Sequence, residues 1–577
     1  MKRAFLKKKK TKVRRIFIMK FFYFFIFILI SVFNHIAHAN SDPYPKNHKI
    51  DVINYVFNIT LSDTSDIINC IVTVDLRVLE TGVERIRLDL ISTSKELKNK
   101  GMIVQNVKSD GISLKFLHEE DELWIYPNQV PLKKNRIKFT IHYQGIPSEG
   151  LKIGNNKYGD RTFFSDNWPN LGRNWLATVD HPYDKAKCEF IVTAPDHYQV
   201  ISNGLKIEET NLDGNQKRTH WKQSVPIAPW LYVLGVAEFA VQYVDEFDGK
   251  SIQTWVFKQD RNAGFYDFAE PTKKVLEFYS EYIGPYSYEK LANIQSNSVS
   301  GGMESASAIL YSANSVKGDR NTRWRNVVIH EIAHQWFGNS VTEFDWDDVW
   351  LSEGFATYFT LLFIEHQYGR DIFVEGLKSS KEKIESYHIK NPNYTIIHDN
   401  LKNMKDVTSS QTYQKGSWVL HMLRGVLGTD LFWEGIRSYY SKYKDLNAST
   451  NDFRRIMEEV SGLDLSRFFH QWLYSPGKLK LDGDWFYDKK KGEILLEINQ
   501  IQNWEGLIEM PIEIGIEFKS NKKIKKVQLK DKTNLYRIKV DQKPLQVILD
   551  PNLWVLMNSN FKLTFRDENY KRINLAE

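Results

Sequence analysis

Two histidines and a glutamate lie within five consecutive residues, in the stretch HEIAHQWFGN at 330–339. On a helix, positions i and i+4 lie on one face, so His330 and His334 can present two ring nitrogens to one cation. Glu331 stands one step round the same helix, where its carboxylate can reach a water beside that cation without binding the cation itself. This H-E-x-x-H pattern indicates a zinc site with a general base next to it.

A catalytic zinc ion needs a third protein ligand and one open position. Glu353, in the stretch WLSEGFATYF at 350–359, follows His334 with eighteen residues between them. It stands near the start of a second predicted helix, and two helices packed face to face can bring it to the metal. The structural alternatives are core histidines and a glutamate that only favours its helix N-terminus. The combined spacing favours His330, His334 and Glu353 as ligands of one Zn²⁺ per chain.

The charge distribution argues against a nucleic-acid partner. Residues 1–39 hold ten of the 78 Lys and Arg residues and none of the 71 Asp and Glu residues, so the rest carries 68 basic and 71 acidic side chains. A nearly neutral body lacks the basic footprint that nucleic-acid binding requires. With 577 residues, 42% of them hydrophobic, the chain is long enough for three or four packed domains.

The first 39 residues have the features of a signal peptide. A basic stretch precedes the apolar run FFYFFIFILISVF at 21–33, and AHA at 37–39 supplies small residues for cleavage after Ala39. The run of 13 residues is too short to span a bilayer comfortably, so no stable membrane span is expected after cleavage. We predict a periplasmic or secreted protein. An uncleaved membrane anchor is the alternative, and either Met1 or Met19 is the start.

Hydrophobic periodicity divides the remaining chain into three domains and predicts a multidomain α+β fold. Alternation with period two, which places Tyr55, Phe57, Ile59 and Leu61 on one face, predicts an antiparallel β domain over 40–247. An α-rich block with one strand at 290–298 follows over 248–475. Its predicted helices are 271–284, 323–337, 352–368, 411–427 and 451–461, the last capped by Asn451 or Asp452 and stopped by Gly462. Period two returns over 476–577 and predicts a C-terminal β-sandwich.

The only cysteines, Cys70 and Cys188, both fall in the first domain. An exported protein could pair them, but two cysteines make no disulfide framework, and two buried free thiols are slightly favoured.

Several motifs together resemble the M1 family of zinc aminopeptidases, which are gluzincins. HEIAHQWFGNSVT and WLSEGFATYF have the family spacing, and GGMES at 301–305 stands where the family has its G-x-M-E-N signature. SSQTYQKGSWVLHMLR at 409–424 contains a tyrosine before K-G, as the family does. DNWPNLGRNWLATVDHPYDKAKCEFIVTAP at 166–195 looks like the N-terminal saddle domain of exported bacterial members, and FFHQWLYSPG at 468–477 like the end of their catalytic domain.

The resemblance implies an N-terminal β-saddle, a thermolysin-like catalytic domain and a C-terminal β-sandwich. It also implies hydrolysis of the first peptide bond of peptides with a free N-terminus. Glu331 is implied as the general base, and Tyr413 as the residue that stabilises the developing oxyanion. Glu304 is implied to pair with the substrate ammonium group. The substrate backbone is expected to lie along a strand edge formed by Gly301, Gly302 and Met303.

The sequence departs from the family pattern at two places. Ser305 stands where the family usually has Asn. A second amine-binding residue, Gln or Glu in many members, has no counterpart in SDNWPNLGR at 165–173, where Asp166 or Asn167 is the candidate. Asp347 or Asp348, just ahead of Glu353, is a candidate to accept a proton from a ligating histidine, and the alternative of solvated or helix-capping acids is at least as well supported.

Three other functions are open at this point. A gluzincin endopeptidase would share the zinc chemistry but would have a cleft open at both ends, and Glu304 argues against that. An epoxide hydrolase relative would have a helical C-terminal domain, where the pattern predicts β structure. A scaffold without activity would have no need for the full set of zinc ligands, base and tyrosine.

Overall fold

The computed structural model describes residues 42–397, 401, 403–502 and 506–563. The predicted signal peptide, with its cleavage after Ala39, lies outside the described residues. Within these ranges no helix is both long enough and apolar enough to cross a membrane.

Three sheets form the N-terminal part of the chain. The largest has eight strands, which lie in the order β13 (Leu205–Leu212), β14 (Gln216–Ile227), β11 (Ala186–Pro195), β1 (Ile50–Thr60), β2 (Ile68–Val78), β8 (Arg136–Ile146), β4 (Gly101–Ser109) and β5 (Ile112–Ser113). A second sheet has the order β3 (Ile86–Asp89), β7 (Glu122–Tyr126) and β6 (Lys115–Glu119). The third has the order β12 (Gln199–Ser202), β15 (Leu234–Ala237), β10 (Arg161–Ser165) and β9 (Leu151–Asn155).

Alternating burial along β1 shows why this segment is a strand. Tyr55, Phe57 and Ile59 are each at most 1% exposed, whereas the residues between them are half-buried. The face that the sequence predicted is therefore the core face. One ladder differs from the antiparallel prediction, because β1 runs parallel to β11. Parallel neighbours need a long connection, which the more than a hundred residues between these two strands supply.

The positions of Cys70 and Cys188 exclude a disulfide between them. Cys70 lies opposite Ile59 on one side of β1, and Cys188 lies opposite Tyr55 on the other side. Two strand spacings amount to about 9.5 Å, which exceeds the Cα separation of about 4.4–6.8 Å that a disulfide allows. Both are buried free thiols, the alternative that the sequence favoured.

The middle of the chain combines a mixed sheet with packed helices. The sheet has the order β16 (Phe239–Phe247), β17 (Lys250–Phe257), β18 (Lys290–Ser296), β20 (Ala308–Ser312) and β19 (Gly302–Met303). A short parallel pair joins β21 (Thr342–Glu343) to β22 (Asn447–Ala448). The helices are α1 (Arg261–Phe268), α2 (Thr272–Tyr282), α3 (Thr322–His334), α4 (Trp350–Tyr368), α5 (Arg370–Lys390), α6 (Gly416–Leu427), α7 (Thr429–Tyr443), α8 (Thr450–Ser461) and α9 (Ser466–Leu473).

All five predicted helices are present, but their ends and caps differ in detail. The helix predicted over 323–337 ends at His334, and the one over 411–427 begins as a π-helix, Gln411–Lys415, before α6. The cap of α8 is Ser449 rather than Asn451. The Ser449 hydroxyl accepts the N–H of Asp452, and the Asp452 carboxylate accepts the N–H of Ser449 in return. Gly462 follows with φ +70°, as the predicted stop requires.

Two sheets form the C-terminal part. One has the order β27 (Thr533–Lys539), β24 (Glu493–Gln500), β23 (Leu479–Asp488) and β29 (Met557–Leu563), and the other has β26 (Lys522–Leu529), β25 (Met510–Glu517) and β28 (Gln546–Leu549). The predicted succession of a β-rich domain, an α-rich domain and C-terminal β-sheets is therefore confirmed. The exact limits at 40–247, 248–475 and 476–577 remain a prediction.

A buried histidine joins the helical part to the C-terminal sheets. His421, on α6, lies with Nε2 2.9 Å from the carbonyl of Leu553 and Nδ1 3.0 Å from the Tyr358 hydroxyl. Because a carbonyl only accepts, Nε2 carries the proton and the Tyr358 hydroxyl donates to Nδ1. Burial, with the charges of Arg370 and Arg424, lowers the pKa of His421 to about 3 despite the Leu553 hydrogen bond.

We expect His421 to make the protein less stable in acid. The unfolded state, with a histidine pKa of about 6.5, binds the proton that the folded state rejects, so stability falls as the pH drops below about 6.5. Between pH 7 and 5 this group should remove about 2 kcal/mol from the free energy of unfolding. His421→Gln should abolish that contribution in denaturant titrations at the two pH values, and the same change at the exposed His470 is the control. An unchanged pH slope in His421→Gln would contradict the assignment.

Candidate metal centre and active site

Helix α3 directs His330, Glu331 and His334 into the interior of the helical part. The helix begins after Asn321, whose side chain accepts the N–H of Arg323 as an N-cap. Glu331 is 5% exposed and His334 is 1% exposed. Glu331 and His334 are therefore buried, whereas His330 is half-buried.

Glu353 reaches the two histidines from the first turn of α4. Its Oε2 lies 3.3 Å from Nε2 of His334 and 3.5 Å from Nε2 of His330. The two histidine Nε2 atoms are 3.1 Å apart. The helices α3 and α4 thus bring together the three side chains that the sequence predicted as metal ligands.

The orientation of the His334 ring is fixed from its other nitrogen. Nδ1 lies 3.1 Å from the carbonyl oxygen of Phe337 and 3.1 Å from Oγ of Ser352. Since the Phe337 carbonyl can only accept, Nδ1 donates to it, and Nε2 is the ring nitrogen that faces Glu353. The sequence had suggested Asp347 or Asp348 for this role. Asp348 instead accepts from the Thr450 hydroxyl at 2.6 Å.

This donor set fits a zinc ion. Two imidazole nitrogens and one carboxylate oxygen are the protein ligands of a common class of catalytic zinc sites. Glu353 Oε2 is buried and has no hydrogen-bond partner among the described residues. This oxygen, which faces the two histidine rings, is therefore free to bind a cation. Burial raises the pKa of Glu353, but His334 and His330 outweigh burial and lower that pKa to about 2. The carboxylate is therefore ionised, as a metal ligand must be.

Tyr413 approaches the same group from the π-helix ahead of α6. Its hydroxyl donates to Glu353 Oε1 at 2.5 Å. Gly354 and Gly416 allow this approach, because a Cβ on Gly354 would lie 3.0 Å from the backbone of Gly416. Single-turn π-helices are frequent at functional sites, and here the π-helix places the Tyr413 hydroxyl beside the ligand carboxylate.

Glu304 lies at the edge of the mixed sheet and faces the histidines. Gly302 and Met303 form β19, the edge strand, antiparallel to β20. The Glu304 side chain is 6% exposed, with Oε1 3.9 Å from Nδ1 of His334. Its Oε1 has no hydrogen-bond partner among the residues the structure describes. Burial, then the charge of Glu353, raises the pKa of Glu304 to about 7 against the opposing effect of His334.

Gly302 leaves room for the carboxylate of Glu331. A Cβ at position 302 would lie 2.2–2.4 Å from the Glu331 side chain, so any larger residue would displace that carboxylate. Next to it, Gly301 has open space where a Cβ would be. Burial and the nearby charge of Glu304 raise the pKa of Glu331 well above its ordinary value.

The structure separates the two candidates for a second amine-binding residue. Asn167 is occupied, because its amide donates to the Tyr232 carbonyl and its oxygen accepts from the Trp175 indole. The Asp166 carboxyl accepts the Trp168 N–H, and its charge contributes to raising the pKa of Glu304. Burial raises the pKa of Asp166 itself to about 6, although the Trp168 amide and Lys152 lower it.

A second group of possible metal ligands, Asp42, His181 and Asp345, lies apart from this site. Lys46 forms ion pairs with both acids of that group. Its ammonium group already supplies the positive charge there.

Two family models match the chain. The model described as Peptidase M1 N-terminal domain matches residues 51–231, and the model described as Peptidase family M1 domain matches residues 268–472. Together they take in most of the described residues, and the chain belongs to the M1 peptidase family.

Curated relatives and solved structures agree with this membership. The chain is 27% identical over 533 residues to "Probable aminopeptidase 2" of Sulfurisphaera tokodaii, covering 83% of this chain and 64% of that protein. It is 30% identical over 328 residues to human "Glutamyl aminopeptidase", covering 54% of this chain and 34% of that protein. The chain thus matches at most about two thirds of the length of these relatives.

The fold is also that of a solved family member. The crystal structure of an M1 zinc metallopeptidase from Deinococcus radiodurans superposes with a TM-score of 0.62 at 22% identity. The match covers 74% of this chain and 93% of that one.

Proposed function

We propose that the protein is a zinc-dependent aminopeptidase that hydrolyses the N-terminal peptide bond of peptides. The observation that carries this proposal is the position of Glu304. A buried carboxylate with an unpartnered oxygen lies 3.9 Å from a ring nitrogen of His334, beside a group suited to zinc. A peptidase that cuts one residue from a free amine needs both parts close together.

His330, His334 and Glu353 would hold one Zn²⁺ per chain. When bound, zinc supplies a Lewis acid and an acidic water at neutral pH. The Phe337 carbonyl and Ser352 hydroxyl keep the His334 ring in the tautomer and orientation that such a ligand requires.

Glu331 and Tyr413 are the residues to which we assign proton transfer and charge stabilisation. Glu331 takes a proton from the attacking water and returns it to the leaving amine. Tyr413 donates its hydroxyl hydrogen bond to the oxygen on which negative charge develops. In the structure the Tyr413 hydroxyl donates to Glu353, so it already points at the metal-binding group. During the reaction it would donate to the oxygen of the substrate instead of to Glu353.

Glu304 and Asp166 would bind the substrate ammonium group, and the β19 edge would bind the backbone. An edge strand has free N–H and C=O groups that can pair with an extended peptide. Gly301, Gly302 and Met303 line that edge. Two carboxylates beside the metal-binding group would favour a free amine over a blocked N-terminus.

We further propose that the enzyme is exported, with a signal peptide cleaved after Ala39. The basic and apolar pattern of residues 1–39 supports this. The domain limits at 247 and 475 belong to the same proposal, and they place the site in the middle domain.

The test of this function compares aminoacyl-anilides with their N-acetylated forms, using the purified protein supplied with zinc. Hydrolysis of the free-amine forms alone is the expected result. Equal hydrolysis of the blocked forms would identify an endopeptidase. No hydrolysis of either form despite bound zinc would exclude a peptidase of this kind.

Gly302→Ala should impair hydrolysis without removing zinc. The added Cβ meets the Glu331 carboxylate at 2.2–2.4 Å, so the base must move away from the reacting water. A displacement on this scale costs about 100-fold in turnover. Gly301→Ala, with nothing near its added Cβ, is the matched comparison and should lose far less. Equal kcat values for the two variants would contradict the placement of Glu331.

A further inference from the structure

Two buried amide side chains hold the backbone of Glu304. Gln335 donates from Nε2 to the Glu304 carbonyl at 2.9 Å, and Asn339 donates from Nδ2 to the same oxygen at 2.6 Å. Both amides are fully buried. Because a backbone carbonyl has two lone pairs, the pair of amides satisfies it completely. We refer to Gln335 and Asn339 as the amide clamp.

The other end of Gln335 closes the turn that follows Glu304. Its Oε1 accepts the N–H of Ser307 at 2.9 Å. Ser307 has φ +64°, a conformation that non-glycine residues rarely adopt and that persists only where the surroundings fix it. The Ser307 hydroxyl also accepts the N–H of Gly204 at 2.8 Å. The turn from Glu304 to Ser307 is thus fixed from two sides.

The clamp belongs to the same chain segment as the metal ligands. Gln335 is the residue after His334, and Asn339 follows in the loop that returns from α3. Lys185, from the N-terminal part, holds this loop by donating from Nζ to the carbonyls of Asn339 and Ser340 at 3.1 and 2.7 Å. Any movement of Glu304 relative to His334 must therefore break buried hydrogen bonds of the clamp.

We propose that Gln335 and Asn339 are positioning residues that set the distance between the metal-binding group and the Glu304 carboxylate. This inference rests on the proposed aminopeptidase function. The clamp acts through Glu304 and touches no reacting atom, so its loss affects how well a free N-terminal amine is bound. Turnover of an amine that does bind depends on the Glu331 carboxylate and the metal. The clamp reaches Glu331 through a long hydrogen bond, 3.4 Å, from Gln335 Nε2 to the backbone carbonyl of Glu331.

The experiment replaces Gln335 by methionine, which keeps the length of the side chain and removes its hydrogen bonds to Glu304, Glu331 and Ser307. Gln471→Met is the matched control. Gln471 lies in α9 and is also buried. Its side chain donates to the carbonyl of Glu509 and accepts the N–H of the same residue, at 3.0 Å each. Gln335→Glu is the second variant, since it keeps the acceptor for Ser307 and, when ionised, sets a charged acceptor in place of the donor to Glu304.

We expect Gln335→Met to raise the KM of free-amine anilides about tenfold, the size of one buried hydrogen bond. The kcat and the zinc content should change less than KM, and Gln335→Glu should show the same pattern. Gln471→Met should lower the thermal midpoint and leave KM unchanged. A purely structural role for Gln335 predicts the Gln471 pattern, and that result would overturn the inference.

The wild-type protein separates this inference from the function on which it rests. If the wild type cleaves free-amine anilides alone and Gln335→Met and Gln335→Glu keep its KM, the clamp is not a positioning device and the function stands. If the wild type cleaves blocked anilides equally well, the function fails and the inference fails with it.

Discussion

Replacing Glu331 by glutamine should reduce hydrolysis by about 10²- to 10⁴-fold, the usual contribution of a general base, while zinc stays bound. Glutamine has the same shape and fits the space beside Gly302, but it cannot take up a proton. Glu331 does not belong to the group formed by His330, His334 and Glu353, although its carboxylate also lies within 4.8 Å of possible ligand atoms of His334 and Glu304. The kcat for a free-amine anilide measures the loss of hydrolysis. The zinc content of the purified variant shows whether the metal stays bound.

Glu343→Gln is the matched control for that experiment. Glu343 is likewise a buried carboxylate, 1% exposed, and its two side-chain oxygens have no hydrogen-bond partner among the described residues. It lies in β21, outside the proposed machinery, so the substitution should leave kcat close to that of the wild type. Loss of zinc from Glu331→Gln would show that this residue is a ligand, and the assignment of the base would then be wrong.

The spacing of the ligands could be predicted from the sequence because it depends on helix geometry alone. His330 and His334 must share a face of any helix that contains them. Glu353 is harder to predict, since its contact depends on how α3 and α4 pack. The motif spacing nevertheless indicated Glu353 as a ligand. Eighteen intervening residues are enough for the chain to turn after α3 and bring the next helix back beside His330 and His334.

The partners of the site residues could not be predicted in the same way. The Phe337 carbonyl that orients His334 is a backbone atom, and no residue type marks it. Ser352 and the amide clamp contact their partners only after the helices and the sheet edge have met. Ordinary polar residues in these positions carry no sequence signal that separates them from surface residues. The sequence therefore offered the acids Asp347 and Asp348, for which solvated or helix-capping roles were at least as well supported.

The same limit applies to the fold. Period-two alternation predicted the strand that contains Tyr55 and Phe57, since burial on one face needs only a local pattern. It did not predict that β1 would lie parallel to β11, because the pairing partner is more than a hundred residues away. The cap of α8 shows the limit on a shorter scale. Ser449, two residues before Asn451, completes a reciprocal pair with Asp452, and only the backbone geometry reveals which residue begins the helix.

Replacing Glu353 by alanine should weaken zinc binding by more than about 100-fold, because even the loss of a residue that only supports a ligand costs 10- to 100-fold. Hydrolysis should disappear with the metal. The change also removes the acceptor of the Tyr413 hydroxyl. Competition with a chromogenic chelator measures the affinity, and the metal content of the dialysed protein measures occupancy.

Glu365→Ala is the control for the zinc measurement, since it removes a carboxylate from the other end of the same helix. Glu365 forms ion pairs with Arg370 and Arg424, so its loss should affect stability and leave zinc in place. If Glu353→Ala kept one zinc at the wild-type affinity, another set of ligands would have to hold the metal. The candidates would be the group of Glu304, Glu331 and His334 and then the group of Asp42, His181 and Asp345. Since Lys46 already pairs with both acids of the group formed by Asp42, His181 and Asp345, we expect the zinc to leave with Glu353.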